Sequence, residues 1–463
     1  MAFDLTPEQR QIVDARHTSL LVSAAAGSGK TAVLVERIVS LVCDEKEPVD
    51  IDRILVVTFT QAAAAEMKER VLKRINEKLE EDPENEHLQR QVTLVHQALI
   101  TTIDSFCLDV VRNHFQEVGI EPDFRVADEG EVKLIKRDVL SKLLEKAYEN
   151  EDPGFVNCVE TFCPGNDDAA LEDLIISLCN VADSYPWPID YLEDRKLDHD
   201  ISRAEDFKGS KIERAVLDAS YGYALYAISY IESAIRLCED HELLENYIET
   251  FDEDRVYFEK VAAVCSSESG TLEQVYLIMG EKDDAKSKLK AVRAKTDEDK
   301  EIKETYGEPA KKYRDEAWKM IDKMIEKYYS FPLEAQAEMI SESGKAINVL
   351  IDLAISFAKD YADEKRKRHV IDFSDMSHMA LGILATQKVE DGKKVVVPTD
   401  AALEYRDRFA EVMTDEYQDS NLIQELLLSV VSAEDIGRYD RFIVGDVKQI
   451  LPLMISEFKN RKA

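Results

Sequence analysis

Residues 24–31 read AAAGSGKT, after the apolar, β-branched run SLLVSA (19–24) and before the helical pattern KTAVLVERIVSLV. A glycine loop between a buried strand and a helix limits the fold more than any other stretch of this chain. Such a loop cradles phosphate when successive backbone N–H groups, freed by glycines that can take positive φ, turn inward at a helix N-terminus. Gly27 and Gly29 supply that freedom, and Ala26 and Ser28 complete the cradle. Lys30 is spaced to reach β- and γ-phosphates and Thr31 to offer a hydroxyl to Mg²⁺. Ala24 stands where the general pattern has its first glycine, a mild departure because a small residue suffices there. A plain glycine turn has the same flanks, so a second motif has to decide.

The flanks predict an α/β fold. Short β-branched runs SLLVSA (19–24), ILVVTFT (54–60) and LITTI (99–103) alternate with helical patterns, including QAAAAEMKERVLKRINEKL. That alternation is the pattern of a parallel sheet covered by helices. From about Ala127 to His369 long helical patterns take over without convincing strands, as in EVKLIKRDVLSKLLEKAYE. Within this block the stretch from Glu281 to Trp318 is so charged that a solvated helix or hairpin is expected rather than a core element. The α/β pattern then returns, with RFAEVMTDE and RFIVGD as further buried strands that each end in an acidic residue. The expected organisation is a P-loop parallel sheet interrupted by a large all-helical insertion: residues 1–125 as the first part of the sheet domain, 126–369 as the insertion and 370–463 as the second part.

Composition narrows the function classes. No apolar run approaches the roughly 20 residues that cross a bilayer, and MAFDLTPEQR lacks the basic-then-apolar start of a secretory signal. A cytoplasmic protein without membrane partners is expected. The seven scattered cysteines include no paired C-x-x-C set, and reduced structural thiols are the reading. A net charge of −35 argues against broad counterion release from a basic face, so any nucleic-acid contact has to be local or shared with a partner.

The second motif is MTDEYQDSN. An acidic pair directly after an apolar strand lets Asp415 hold a metal's water shell while Glu416 polarises a water for in-line attack on a γ-phosphate. With a P-loop upstream and Tyr417, Gln418 and Asp419 following, a solvated helix start no longer accounts for it.

LTPEQ (5–9), AAAGSGKT (24–31), VTFTQAAAAEMKERV (57–71), TTIDSFC (101–107), DEYQDSN (415–421) and VGDVKQ (444–449) together resemble the ordered motifs of UvrD-like superfamily 1 DNA helicases. Within that group, TTIDSFCLDVVRNHF, VIDFSDM and VGDVKQ are most similar to the AddA subunits of bacterial AddAB helicase-nucleases. The resemblance implies ATP and Mg²⁺ as cofactors and ATP-driven 3′→5′ translocation on DNA in double-strand-break repair. It also implies a single-stranded or duplex DNA end as substrate and an AddB-like partner. By position, Gln9 reads the adenine edge, and Gln418 and Gln449 sense the γ-phosphate and relay its state. Thr58, Thr60, Thr102 and Ser105 offer hydroxyls and amides to single-stranded DNA, and Phe59 and Phe106 offer rings to bases. For VIDFSDM a DNA-proximal role and ordinary helix capping by Asp372 and Asp375 stand level.

After Gln449 the family pattern continues with Ser-Ile-Tyr and a second RecA-like domain, whereas this sequence reads Ile450, Leu451, Pro452 and eleven further residues. A frameshift or truncation is expected. The second domain brings an arginine to the transferring phosphoryl group, worth about 10³ to 10⁵ in rate in related systems. The expectation for this chain is therefore nucleotide binding with weak or absent turnover and no nuclease. A non-catalytic binding or regulatory module, or a half-motor completed in trans, is the alternative.

Overall fold

The computed structural model describes residues 5–23, 29–163, 165, 167–390 and 392–446. Five short β-branched runs form one parallel sheet. In chain order its strands are β1 (Leu20–Ser23), β2 (Ile54–Thr58) and β3 (Ile100–Thr102), then β8 (Glu411–Thr414) and β9 (Arg441–Gly445). Their spatial order is β1-β9-β8-β2-β3. The two strands from the far end of the chain thus insert between β1 and β2. Val57 lies opposite Thr414, and Ser23 opposite Gly445, so these strand ends fall on a common edge.

Burial on both faces explains the near-continuous apolar runs. On one face Val56, Met413 and Phe442 pack against Leu34 and Ile38 of helix Lys30–Val42 and Met67 of helix Gln61–Glu81. On the other, Leu55, Val57 and Val412 pack with Phe106, Leu381, Tyr405 and Leu427.

Two features near this sheet were not read from the sequence. Strands β4 (Arg125–Val126) and β5 (Val370–Ile371) pair in parallel, joining the chain just before the long helical stretch to the chain just after it. Strands β6 (Ala385–Glu390) and β7 (Lys393–Pro398) form an antiparallel hairpin whose turn holds Gly392 at φ +78°. An Asp-Gly pair between alternating residues is a hairpin signal.

By contacts the chain divides into two compact units. One comprises the described residues of Met1–Glu149, Glu172–Tyr191 and Leu353–Ala463 and holds the sheet; the other comprises those of Asn150–Leu171 and Leu192–Asp352. The second unit is helical, with Lys211–Cys238 packed on Glu245–Ser266 and on Glu308–Met324. Here one expectation is corrected. Of the charged stretch Glu281–Trp318, the part from 286 to 296 has no helix or strand, while its end is core. Trp318 is 1% exposed, stacked on Tyr257 at 5.5 Å and edge-on to Phe258 at 5.0 Å. The reason is amphipathicity: Ala310, Ala317, Trp318, Ile321 and Met324 share the buried side of a helix whose charges occupy the other. Even Arg314 is buried there, bonded to Asp254.

Candidate functional site

The C-terminal edge of a parallel sheet is where loops leave strands and helix N-termini point, so ligands gather there. Helix Lys30–Val42 starts at this edge after β1. Its N-cap, Gly29, has φ +84° and no side chain, so among the described residues no N-cap side chain bonds the first-turn N–H groups. Ala26, Gly27 and Ser28, expected to form the rest of the cradle, lie outside the described residues, as does Gln449.

Two strands away, β8 ends at Thr414 and delivers Asp415 and Glu416. Asp415 N donates to Val57 O at 2.9 Å, which fixes the chain at the end of β2. Glu416 then takes φ +52°, ψ +46°, a left-handed conformation uncommon for a glutamate. Its backbone N–H bonds Asp415 Oδ1 at 3.0 Å. The turn brings the two motifs together: Lys30 Nζ lies 3.2 Å from Glu416 Oε2, and Thr31 Oγ1 lies 3.5 Å from Asp415 Oδ2. Gln418 donates its amide to Glu416 Oε2 and accepts from Asp446 N at 3.0 Å. Asp446 follows β9, so Gln418 ties β8's end to β9's. The sequence reading did not give Asp446 a role, although it is the acidic residue that closes RFIVGD.

The neighbouring carboxylates are tuned in opposite directions. Burial, and then the charge of Glu416, push the Asp415 carboxyl above its ordinary range. The hydrogen bond from Gln418, helped by Lys30, holds Glu416 below its own. Lys30 is a positive charge that acts on both. Gln9 sits in helix Pro7–Asp14, where its Oε1 accepts from Thr6 N in a reciprocal capping box.

The loops after β2 and β3 share the same edge. Phe59 is 66% exposed, and Thr60, also exposed, caps helix Gln61–Glu81 through Ala63 N. Ser105 is half-buried in the first turn of helix Ile103–Asn113. The expected ring contact of Phe106 with DNA is corrected here, and so are the expected hydroxyl contacts of Thr58 and Thr102, though not those of their backbone amides. Phe106 has no exposed surface and packs edge-on to Tyr405 at 5.8 Å, so it has no face to offer a base. Thr58 and Thr102 are buried, and their hydroxyls serve the loops themselves, Thr58 donating to Thr60 O and Thr102 to Ser105 Oγ.

VIDFSDM separates into two parts. Asp372 and Asp375 cap helix Phe373–Leu384 reciprocally, and Lys365 Nζ bonds both at 2.8 and 2.7 Å with Tyr361 OH also on Asp372. Phe373, between them, is 65% exposed. All seven cysteines are free thiols, six of them buried, and burial raises Cys158, Cys238 and Cys265 to about 11 and Cys179 to about 12. Among the described residues no group of three or more His, Cys, Asp or Glu is placed to hold a metal, and no described helix is long and apolar enough to cross a membrane.

Comparison with known proteins agrees with this architecture. Residues 5–451 match the UvrD/REP helicase N-terminal domain. The chain is 40% identical over 449 residues to the AddA protein of an ATP-dependent helicase/nuclease from Acetivibrio thermocellus, covering 96% of this chain and 35% of that protein. Proteins of the same name from Lachnoclostridium phytofermentans and Clostridioides difficile are 38% and 36% identical, again over 96% of this chain, which covers 31% and 34% of them. The chain thus spans about a third of the length of the curated relatives it matches. With the match running nearly end to end, the chain belongs to the UvrD/REP helicase N-terminal domain family.

Proposed function

We propose that the chain is the nucleotide-binding motor lobe of an AddA-like helicase-nuclease, whose whole form drives 3′→5′ translocation on DNA ends by ATP hydrolysis during double-strand-break repair. The observation that carries this reading is the convergence of Lys30 with Glu416 and of Thr31 with Asp415, pairs 386 and 384 residues apart in the chain. In this reading residues 1–125 and 370–463 are the two parts of the lobe and 126–369 its insertion.

The residues fit a magnesium–triphosphate: a helix N-terminus whose N-cap is a glycine, a lysine, and the hard oxygens of Thr31 and Asp415. Mg²⁺, when bound, neutralises charge on the β- and γ-phosphate oxygens. Thr31 and Asp415 would hold it, and the backbone of Ala26, Gly27, Ser28 and Gly29 would donate to the phosphates. Lys30 exchanges Glu416 for a phosphate, which frees Glu416 to accept a proton from the attacking water. Gln418 holds Glu416 in place, Gln9 reads the adenine, and Gln418 with Gln449 registers the γ-phosphate. On the nucleic-acid side, Phe59 stacks on a base, Thr60 and Ser105 meet phosphates, and an AddB-like partner completes the complex.

The test is nucleotide binding and DNA-stimulated hydrolysis by the 463-residue polypeptide beside Lys30→Ala. We expect Mg²⁺-dependent ATP binding that falls at least about tenfold in Lys30→Ala, a loss of about 1.4 kcal/mol, with slow or no turnover by the polypeptide alone. Equal binding by both proteins overturns the site; brisk Lys30-dependent turnover overturns the slow-turnover part.

A further inference from the structure

Between the ends of β2 and β8 lies a narrow crevice of about 20 Å³. Its apolar wall is Val57, Ile103 and Leu428. Its polar wall holds Thr414, Ser420 and Gln424, and it is bordered by Phe59 on the β2 side and by Asp415 and Glu416 on the β8 side. Thr414 is 3% exposed, and among the described residues its Oγ1 has no hydrogen-bond partner. Strand alternation puts Thr414 on the face of Val412, whose neighbours are Val57 and the helices Ile103–Asn113 and Leu422–Val431.

A buried hydroxyl without a partner is costly, and buried polar groups in folded proteins are otherwise satisfied by protein or by ordered water. One water needs about 10–15 Å³ of such space and two to four polar partners. The crevice therefore has room for an ordered water. Gln424 Oε1 already accepts from Asn421 N, which leaves its NH₂ group for the crevice, and the Ser420 hydroxyl borders the same space.

We propose that this crevice is a hydration site that holds one ordered water on Thr414 Oγ1, with Ser420 and Gln424 as its further partners. The water bridges Thr414 to Ser420 and Gln424 across the segment that carries the acidic pair, in a crevice that the Phe59 loop after β2 borders, so that binding at either side of the crevice is felt at the other. The hydration site stands on the crevice and the Thr414 hydroxyl alone; the joining role rests on the function proposed above.

Two measurements test the two parts. In a crystal structure of this chain at about 1.8 Å or better, density for one water is expected in hydrogen-bond reach of Thr414 Oγ1 and of a second polar group. An empty crevice, or a Thr414 hydroxyl bonded directly to protein, overturns the site. The joining role is read as the ratio of nucleotide Kd without and with an oligo-dT, for a fluorescent ATP analogue and Mg²⁺. We expect a ratio of about fivefold or more in the wild type, near one in Thr414→Val, which keeps the volume and removes the hydroxyl, and restored in Thr414→Ser. A wild-type ratio of one, or equal ratios in wild type and Thr414→Val, overturns the joining role. Failure of the wild type to bind nucleotide overturns the proposed function and the joining role with it, while the density still decides the hydration site. Should Thr414→Val not fold, the wild-type ratio and the density keep both parts open to refutation.

Discussion

Asp415 and Glu416 are adjacent in sequence yet pushed in opposite directions, because one is buried beside a like charge and the other is bonded by Gln418 and Lys30. A carboxyl must be ionised to ligate a cation, so a raised Asp415 would give up the metal role proposed for it at a higher pH than an ordinary aspartate, about 3.9. Titrating Mg²⁺-dependent nucleotide binding from about pH 8 to about pH 5 should show affinity falling on the acid side, and Asp415→Asn should be weak throughout and lose that dependence. The two phenylalanines make a second contrast at this scale. Phe59→Ala removes an exposed ring, so it should weaken oligo-dT binding by about 1–3 kcal/mol and shift stability by less than about 0.5 kcal/mol. Phe106→Ala opens the core between Tyr405 and Phe409 and should cost about 3–5 kcal/mol in urea unfolding. The outcomes exchanged between the two rings would refute the assignment of Phe59 to the nucleic-acid side.

At the scale of elements, a helix and a strand that are distant in the chain are fastened by a buried ion pair. Arg37, in helix Lys30–Val42, is 2% exposed; it bonds Glu411 at the start of β8 and donates to Ile12 O at 2.8 Å and Ala15 O at 3.0 Å behind helix Pro7–Asp14. Removing one partner of a buried pair leaves the other uncompensated, so Arg37→Leu should cost about 3–5 kcal/mol in urea unfolding. The pH dependence has a definite sign. Burial already raises Glu411, so its ionised form opposes folding above that raised value. The penalty in Arg37→Leu should therefore be largest near neutrality and shrink toward about pH 5 as Glu411 protonates; a penalty that grows on acidification would contradict this account. Such pairs also mark what the sequence concealed. The five sheet strands were legible because short β-branched runs with turn signals depend on local composition. The burial of Phe106, of the Thr58 hydroxyl and of Trp318 was not legible because burial depends on which distant element covers a residue. The β6–β7 hairpin was written in the Asp-Gly pair of the sequence between its strands but masked by the helical pattern before it. At the site, the residue types were legible, whereas the left-handed turn at Glu416 and the Gln418 link to Asp446 arise only when β8 and β9 slot between β1 and β2.

For the whole molecule, the chain carries two tryptophans, and each compact unit holds one. Trp187 packs, half-buried, against the core on the Phe106 side of the sheet, and Trp318 is enclosed in the helical core. Trp318→Phe therefore leaves a fluorescence signal from the sheet unit, and Trp187→Phe leaves one from the helical unit. Because Lys30, Thr31, Asp415 and Glu416 all belong to the sheet unit, a ligand there stabilises that unit by mass action, about 2.7 kcal/mol at a concentration 100 times Kd. In urea melts, Mg²⁺-ATP should move the Trp318→Phe transition to higher denaturant and move the Trp187→Phe transition less. Equal shifts would mean that the two units unfold as one cooperative body. A shift confined to the Trp318 signal would put the nucleotide in the helical unit and overturn the site at the sheet edge.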